Sequence, residues 1–231
     1  MQIFADLQLH SRFSRAVSKN MTLPAIALWA RKKGIGLVAT GDWTHPMWFR
    51  EIERDLEEMG NGFLRVKSDS KNSKSEIDTS LSPVGYSAQA IPNSNFRNQK
   101  SSVEPLFLLA TEISCIFTQG GKSRRVHTLV WVPTLCAARK INKEMTRRGL
   151  NLLSDGRPII GLSSIELAEL VFSQESKALV IPAHAWTPWF SLYGSKSGFD
   201  SIEESFGPFA DRIFAVETGL SSSPSMNWQI V

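Results

Sequence analysis

At 231 residues, 42% hydrophobic and 21% charged, the chain has the length and balance of a single domain with a real core. No apolar run approaches the length of a membrane helix, and the N-terminal stretch lacks the apolar segment of a signal peptide. The net charge of +4 admits a polyanionic partner without requiring one. Cys115 and Cys136, far apart and in apolar surroundings, read as buried thiols of a reducing cytoplasm, which argues against a disulfide scaffold or a thiolate zinc site.

In chain order, residues 3–9 form a first strand by their apolar start and polar tip. Thr22 is placed to cap a helix with Pro24 in its first turn, Ile26, Ala27 and Ala30 on one stripe and Gly34 at its end. Residues 36–40 are short and apolar, a buried strand tipped by Gly41 and Asp42. Phe49, Ile52 and Leu56 then repeat at helical spacing. Residues 68–105 are rich in Ser, Asn and Lys and poor in large aliphatics, so they are expected to form a long disordered insertion within one domain spanning 1–231. Structure resumes with residues 106–110. A turn follows at residues 119–122 and a strand at 126–132. If that turn centres on Gln119 and Gly120, Glu112 and His127 stand directly opposite each other.

Leu135, Ala138, Ile141 and Met145 mark a further helix face. Ser163 with Glu166 and Ser201 with Glu204 have capping-box spacing. Residues 178–182 and 213–216 read as the last two strands, tipped by His184 and Glu217. Alternating strands and helices imply a parallel α/β architecture, open or closed into a barrel, with its site at the carboxyl ends of the strands.

The chemistry gathers there. Asp6, Gln8 and His10 alternate and so share a face of an extended chain. All four histidines, His10, His45, His127 and His184, lie beside strand ends or turns, with Asp6, Asp42, Glu112 and Glu217 at the same rim. Any one of them is ordinary. Together, imidazole and carboxylate without thiolate suit zinc, manganese or iron, and more than four ligands suit a multinuclear site for phosphoryl chemistry. Arg124 and Arg125 beside His127, and Lys196 between Gly194 and Gly198, are candidates to hold a phosphate. Trp186, Trp189 and Phe190 read as packing beneath a loop. The basic stretch 139–148 reads as a solvated helix face.

The motifs Asp6-Leu-Gln-Leu-His10, Thr40-Gly-Asp42, Thr111-Glu112, Val126-His127 and Pro182-Ala-His184 resemble, in order, those of the PHP (polymerase and histidinol phosphatase) superfamily. Residues 10–19, 41–46, 154–158, 182–191, 194–201 and 217–222 resemble one branch in particular, the endonuclease Q-like DNA repair nucleases. The resemblance implies a distorted (β/α) barrel of the PHP type and a site of two or more divalent ions (zinc, manganese or magnesium). It implies His10, Asp42, Glu112, His127 and His184 as metal ligands or their partners, with Asp42 or Glu217 orienting the attacking water. The implied activity is cleavage of DNA on the 5′ side of deaminated bases such as uracil and hypoxanthine, or at abasic sites, with the target base flipped out.

Three departures temper that expectation. Gln8 stands where the family has its first histidine, and an amide is the weaker ligand. Ser223 stands where the branch has Asp. The final Asp-x-His motif would fall beyond Val231, which implies a barrel incomplete at its C-terminal end and a truncated gene product. The alternatives are therefore an active nuclease, a catalytically impaired remnant of one, or a small-molecule phosphoesterase of the same superfamily.

Overall fold

The computed structural model describes residues 2–68, 104–219 and 222–228. The insertion expected over residues 68–105 falls almost wholly outside the described residues.

The first strand is shorter than its sequence pattern. β1 (Ala5–Asp6) pairs in parallel with β2 (Leu37–Ala39), and the chain from Leu7 to His10 leaves the ladder. Between them lies α1 (Leu23–Lys33), with Pro24 in its first turn. Gly34, at φ 73°, closes the helix in the left-handed conformation and returns its N–H to Ala30 and Arg31. Thr22 holds the extended cap backbone, but its side chain makes no capping bond. α2 (Pro46–Asp55) ends one residue before the expected Leu56, which instead opens β3 (Leu56–Glu58), antiparallel to β4 (Leu64–Val66). Leu56 is 1% exposed. Its burial satisfies a helix stripe and a strand face equally, so periodicity alone could not separate them.

The framework is a long hairpin. β5 (Leu106–Gln119) starts in parallel beside β2 and continues antiparallel to β6 (Lys122–Val132). Gly120 and Gly121 form its turn at φ 59° and 73°. A two-residue turn with both φ angles positive matches the twist of a hairpin, and glycine adopts it freely. The turn therefore centres on Gly120 and Gly121, and Glu112 faces Leu129 while His127 faces Ser114. The register differs from the expected one by two residues. An even shift keeps every side chain on its face, so Glu112 and His127 remain diagonal neighbours.

α3 (Leu135–Arg147), capped by the Thr134 hydroxyl, precedes β7 (Ile159–Ile160), which lies parallel to β5. α4 (Ser164–Gln174) begins with the complete Ser163–Glu166 capping box. β8 (Leu179–Pro182) is antiparallel to β6. After α5 (Ile202–Phe206) comes a 3-10 turn, Gly207–Arg212, and then irregular chain where a strand at 213–216 was expected. A short α6 (Pro224–Asn227) follows.

The sheet is thus mixed rather than parallel, and among the described residues it is not closed: β1 and β8 are not joined. The expected barrel would need a ladder between β8 and β1, and residues 213–217 form none; Glu217 alone donates its N–H to Pro182. The core sits between the sheet and α1–α4. Trp43, Trp48, Ile52, Phe107, Leu109, Ile113, Ile141 and Met145 are all essentially buried in it. Each such side chain contributes about 1.5–3 kcal/mol. Two of them also fix backbone. Trp48 Nε1 donates to Gly41 O at 2.9 Å and Trp43 Nε1 to Val130 O at 3.3 Å, clamping the turn that carries Asp42.

Candidate metal centre

Asp42 sits in a turn that only certain residues permit. Gly41 has φ 63°, and a Cβ there would come 2.4 Å from Leu9 O. Asp42 itself has φ 46°, unusual for a residue with a side chain and a mark of local strain. It is fully buried and fully partnered. Oδ2 accepts from Ser11 N at 2.6 Å and from Ser14 Oγ at 2.9 Å, while Oδ1 lies 2.9 Å from His10 Nδ1. A carboxylate on one ring nitrogen orients the other, and His10 Nε2 is 3.0 Å from Glu112 Oε2. Burial disfavours the charged form of His10, but Asp42 and Glu112 outweigh it and raise its pKa to about 9.

Glu112 is the hub. It is 3% exposed in the middle of β5, not at a strand end. Gln8 Nε2 donates to its Oε2 at 3.2 Å. Its Oε1 faces His127 Nδ1 at 2.7 Å, His184 Nε2 at 3.5 Å and Arg157 Nη1 at 3.5 Å. Burial favours the neutral acid, yet His10, His127 and His184 hold the carboxyl far below the ordinary range. Burial lowers the pKa of His127, against the pull of Glu112.

His184 has φ 30°, a second strained position at the site. Glu217 supports it: Oε2 accepts from His184 N at 2.7 Å and the Glu217 carbonyl accepts from Ala185 N at 2.7 Å. The Thr187 hydroxyl donates to Trp189 O at 2.8 Å, so its oxygen is free to accept from His184 Nδ1 at 3.0 Å. The other ring nitrogen, Nε2, faces Glu112 Oε1 and lies 3.1 Å from His127 Nδ1.

Ligand atoms of Glu112, His127 and His184 all lie within 4.8 Å of one another. Glu112 Oε1 is a buried acceptor with no aligned hydrogen-bond donor, despite the close imidazoles. Two imidazoles and a carboxylate converging on such an atom form a donor set that fits a divalent ion, His10 being next in reach through Glu112.

The structure therefore brings His10, Asp42, Glu112, His127 and His184 together, with Glu217 behind His184. It does not bring all four histidines to one rim. His45 is turned into the core, its ring 4.5 Å from that of Phe13, and burial lowers its pKa. Asp6 is exposed on β1, apart from the triad. Of the candidate phosphate contacts, Arg124 is buried, bonded to Gly198 O and to Glu204 Oε1 at 2.7 Å and stacked on Phe199. Arg125 lies over Trp189 and Phe190, whose ring is 4.7 Å from that of His127, and Lys196 is exposed. Sequence reasoning gave no role to Arg157, Ser14 or Thr187. The only signal for Arg157 was its place in the segment 154–158.

A mixed α/β sheet with imidazoles and a buried carboxylate converging on one point, able to hold a metal ion, defines the class. Within it the chain is endonuclease Q-like. It superposes on the lesion-specific endonuclease Q of Pyrococcus furiosus with a TM-score of 0.69 and 29% identity over 97% of its length. It matches endonuclease Q bound to a 27-mer duplex with an abasic lesion at the same TM-score, with 31% identity over 96% of its length. Both agree with a PHP-type assignment. Among curated proteins it is 30% identical over 239 residues to the uncharacterised YqxK of Bacillus subtilis and 23% identical over 197 residues to an uncharacterised protein of Methanocaldococcus jannaschii. These alignments take in 97% and 85% of the chain respectively. The chain spans 50% and 18% of those two proteins and 44% of each endonuclease Q chain. No family model matches it.

Proposed function

We propose that the chain is a metal-dependent DNA endonuclease of the endonuclease Q type, acting on the 5′ side of deaminated bases (uracil, hypoxanthine) or at abasic sites. The observation that carries this is the convergence of Glu112, His127 and His184 on a buried carboxylate oxygen lacking an aligned donor, in a chain endonuclease Q-like along nearly its whole length. Glu112, His127 and His184, with His10 beside them, would hold a divalent ion, which would activate water at neutral pH and neutralise phosphate charge.

The remaining work falls to the chain itself. Asp42 holds His10 Nδ1 and so aims Nε2. Glu217 fixes the strained backbone of His184 through its N–H. Both Asp42 oxygens and Glu217 Oε2 are engaged in these contacts, which favours positioning roles over the water-orienting role expected of them. Lys196, exposed, and Arg125, half-buried against Trp189 and Phe190, are the remaining candidates for DNA phosphates. A cytoplasmic site of action accords with two unlinked thiols, of which Cys115 is buried as expected while Cys136 is exposed, because α3 turns Ala137, Ala138, Ile141 and Met145 to the core instead. Among the described residues no helix is long and apolar enough to cross a membrane.

Gln8 favours a second reading. Its amide nitrogen donates to Glu112 Oε2, so it engages the hub as a donor and not as a ligand. On that reading the chain is an impaired relative of the nuclease. Incubation of zinc-, manganese- or magnesium-loaded protein with duplexes carrying an abasic site or uracil separates the two. Incision 5′ of the lesion is expected; intact duplex under every metal selects the impaired form.

A further inference from the structure

Arg157 reaches the hub without being spent there. Its Nη1 lies 3.5 Å from Glu112 Oε1, beyond an ordinary hydrogen bond, and its side chain is 39% exposed. Among the described residues its guanidinium makes no hydrogen bond, and no lysine or other arginine places a nitrogen within 4.0 Å of Glu112 or Asp42. Arg124 is the contrast, with its guanidinium consumed by Gly198 and Glu204.

The backbone that presents Arg157 is held on both sides. Upstream, Asp155 Oδ1 accepts from Arg157 N at 3.1 Å, and Gly156 N donates to Phe13 O at 3.0 Å. Gly156 presses against the Asp42 turn, where a Cβ would come 2.3 Å from Ser14 Oγ and 2.4 Å from Asp42 Oδ2. Downstream, Ser114 N donates to Pro158 O at 2.9 Å, two residues along β5 from Glu112, and β7 begins. The loop is thus registered against both carboxylates of the site at once. A guanidinium has five donors in a planar fork suited to two phosphate oxygens, and Glu112 engages one of them loosely.

We propose that Arg157 is a catalytic residue of this site: it binds a non-bridging oxygen of the substrate phosphate and stabilises the negative charge that grows there as the phosphodiester is cleaved. It moves no proton and forms no covalent bond. The proposal rests on the nuclease reading for its substrate, but phosphate recognition by Arg157 is testable without DNA.

The test compares metal-loaded wild type with Arg157→Ala and Arg157→Lys, using inorganic phosphate as the probe in calorimetric titration. Arg157→Ala should weaken phosphate binding at least tenfold with metal stoichiometry and circular dichroism unchanged, and Arg157→Lys should fall between. On an abasic duplex, Arg157→Ala should lower kcat about 100-fold with a smaller change in KM. Millimolar guanidinium should restore part of that loss, which a merely structural role would not allow. Phosphate affinity within twofold of wild type, no phosphate binding by wild type, or loss of bound metal along with phosphate would each overturn the proposal. If wild type binds phosphate and incises no DNA, the nuclease reading fails while the phosphate comparison still decides the role of Arg157.

Discussion

The two halves of the centre are built differently. On the His10–Asp42 side the protein satisfies its own polar atoms: both oxygens of Asp42 are taken up by Ser11, Ser14 and His10. On the Glu112–His127–His184 side one carboxylate and two imidazoles converge, and Glu112 Oε1 has no aligned donor. A buried polar group left without a partner costs about 1–3 kcal/mol, so a fold keeps such a cluster where something else completes it. The first half is a mount. The second is a receptor for positive charge, and the strained backbones of Asp42 and His184 bound the two.

The largest effect should come from destroying the receptor. Glu112→Gln removes the charge that three imidazoles share. Tight metal binding should be lost altogether, read as metal content by mass spectrometry after dialysis, while near-ultraviolet circular dichroism shows the fold retained. Next is the mount. Asp42→Asn leaves His10 in place but weakens the group that aims it, and metal affinity should fall about 10–100-fold by competitive chelator titration. A smaller loss for Glu112→Gln than for Asp42→Asn would invert the division of labour.

Smaller again is Gly156→Ala. The new methyl group meets Ser14 and Asp42, and relief requires the 154–158 loop to move. Stability should drop by about 1–3 kcal/mol in urea denaturation, with metal affinity reduced as well because Asp42 is displaced. The smallest effect tests the hairpin under both halves. Burial pushes the Cys115 thiol up to about 12, with the charge of Glu166 adding to it. At pH 8 it is therefore protonated and enclosed, and a thiol reagent should count one fast cysteine, the exposed Cys136, and a second only on unfolding.

Much of this was legible in the sequence where chemistry is local. The Ser163–Glu166 box, the Gly34 stop and the strands flanking Glu112 and His127 follow from caps, glycines and period. The hairpin register was also written there: two adjacent glycines specify a turn centred on both. Choosing Gln119 and Gly120 missed by two residues and kept the face, so Glu112 and His127 still meet. What could not be read depended on distant packing. Whether Leu56 ends a helix or opens a strand is settled by β4. Whether His45 faces the candidate metal centre or Phe13 is settled by the packing of its ring. The reach of Arg157 to Glu112 is set by a loop pressed on Asp42, more than a hundred positions away in sequence.

Whether the receptor half holds a cation is the central question. Wild-type protein and a His127→Ala variant, purified without added metal, dialysed and measured by inductively coupled plasma mass spectrometry, decide it. At least one tightly held divalent ion per wild-type chain and none in the variant is the expected outcome. Equal, negligible metal in both, with zinc, manganese and magnesium each failing to bind on titration, would contradict it.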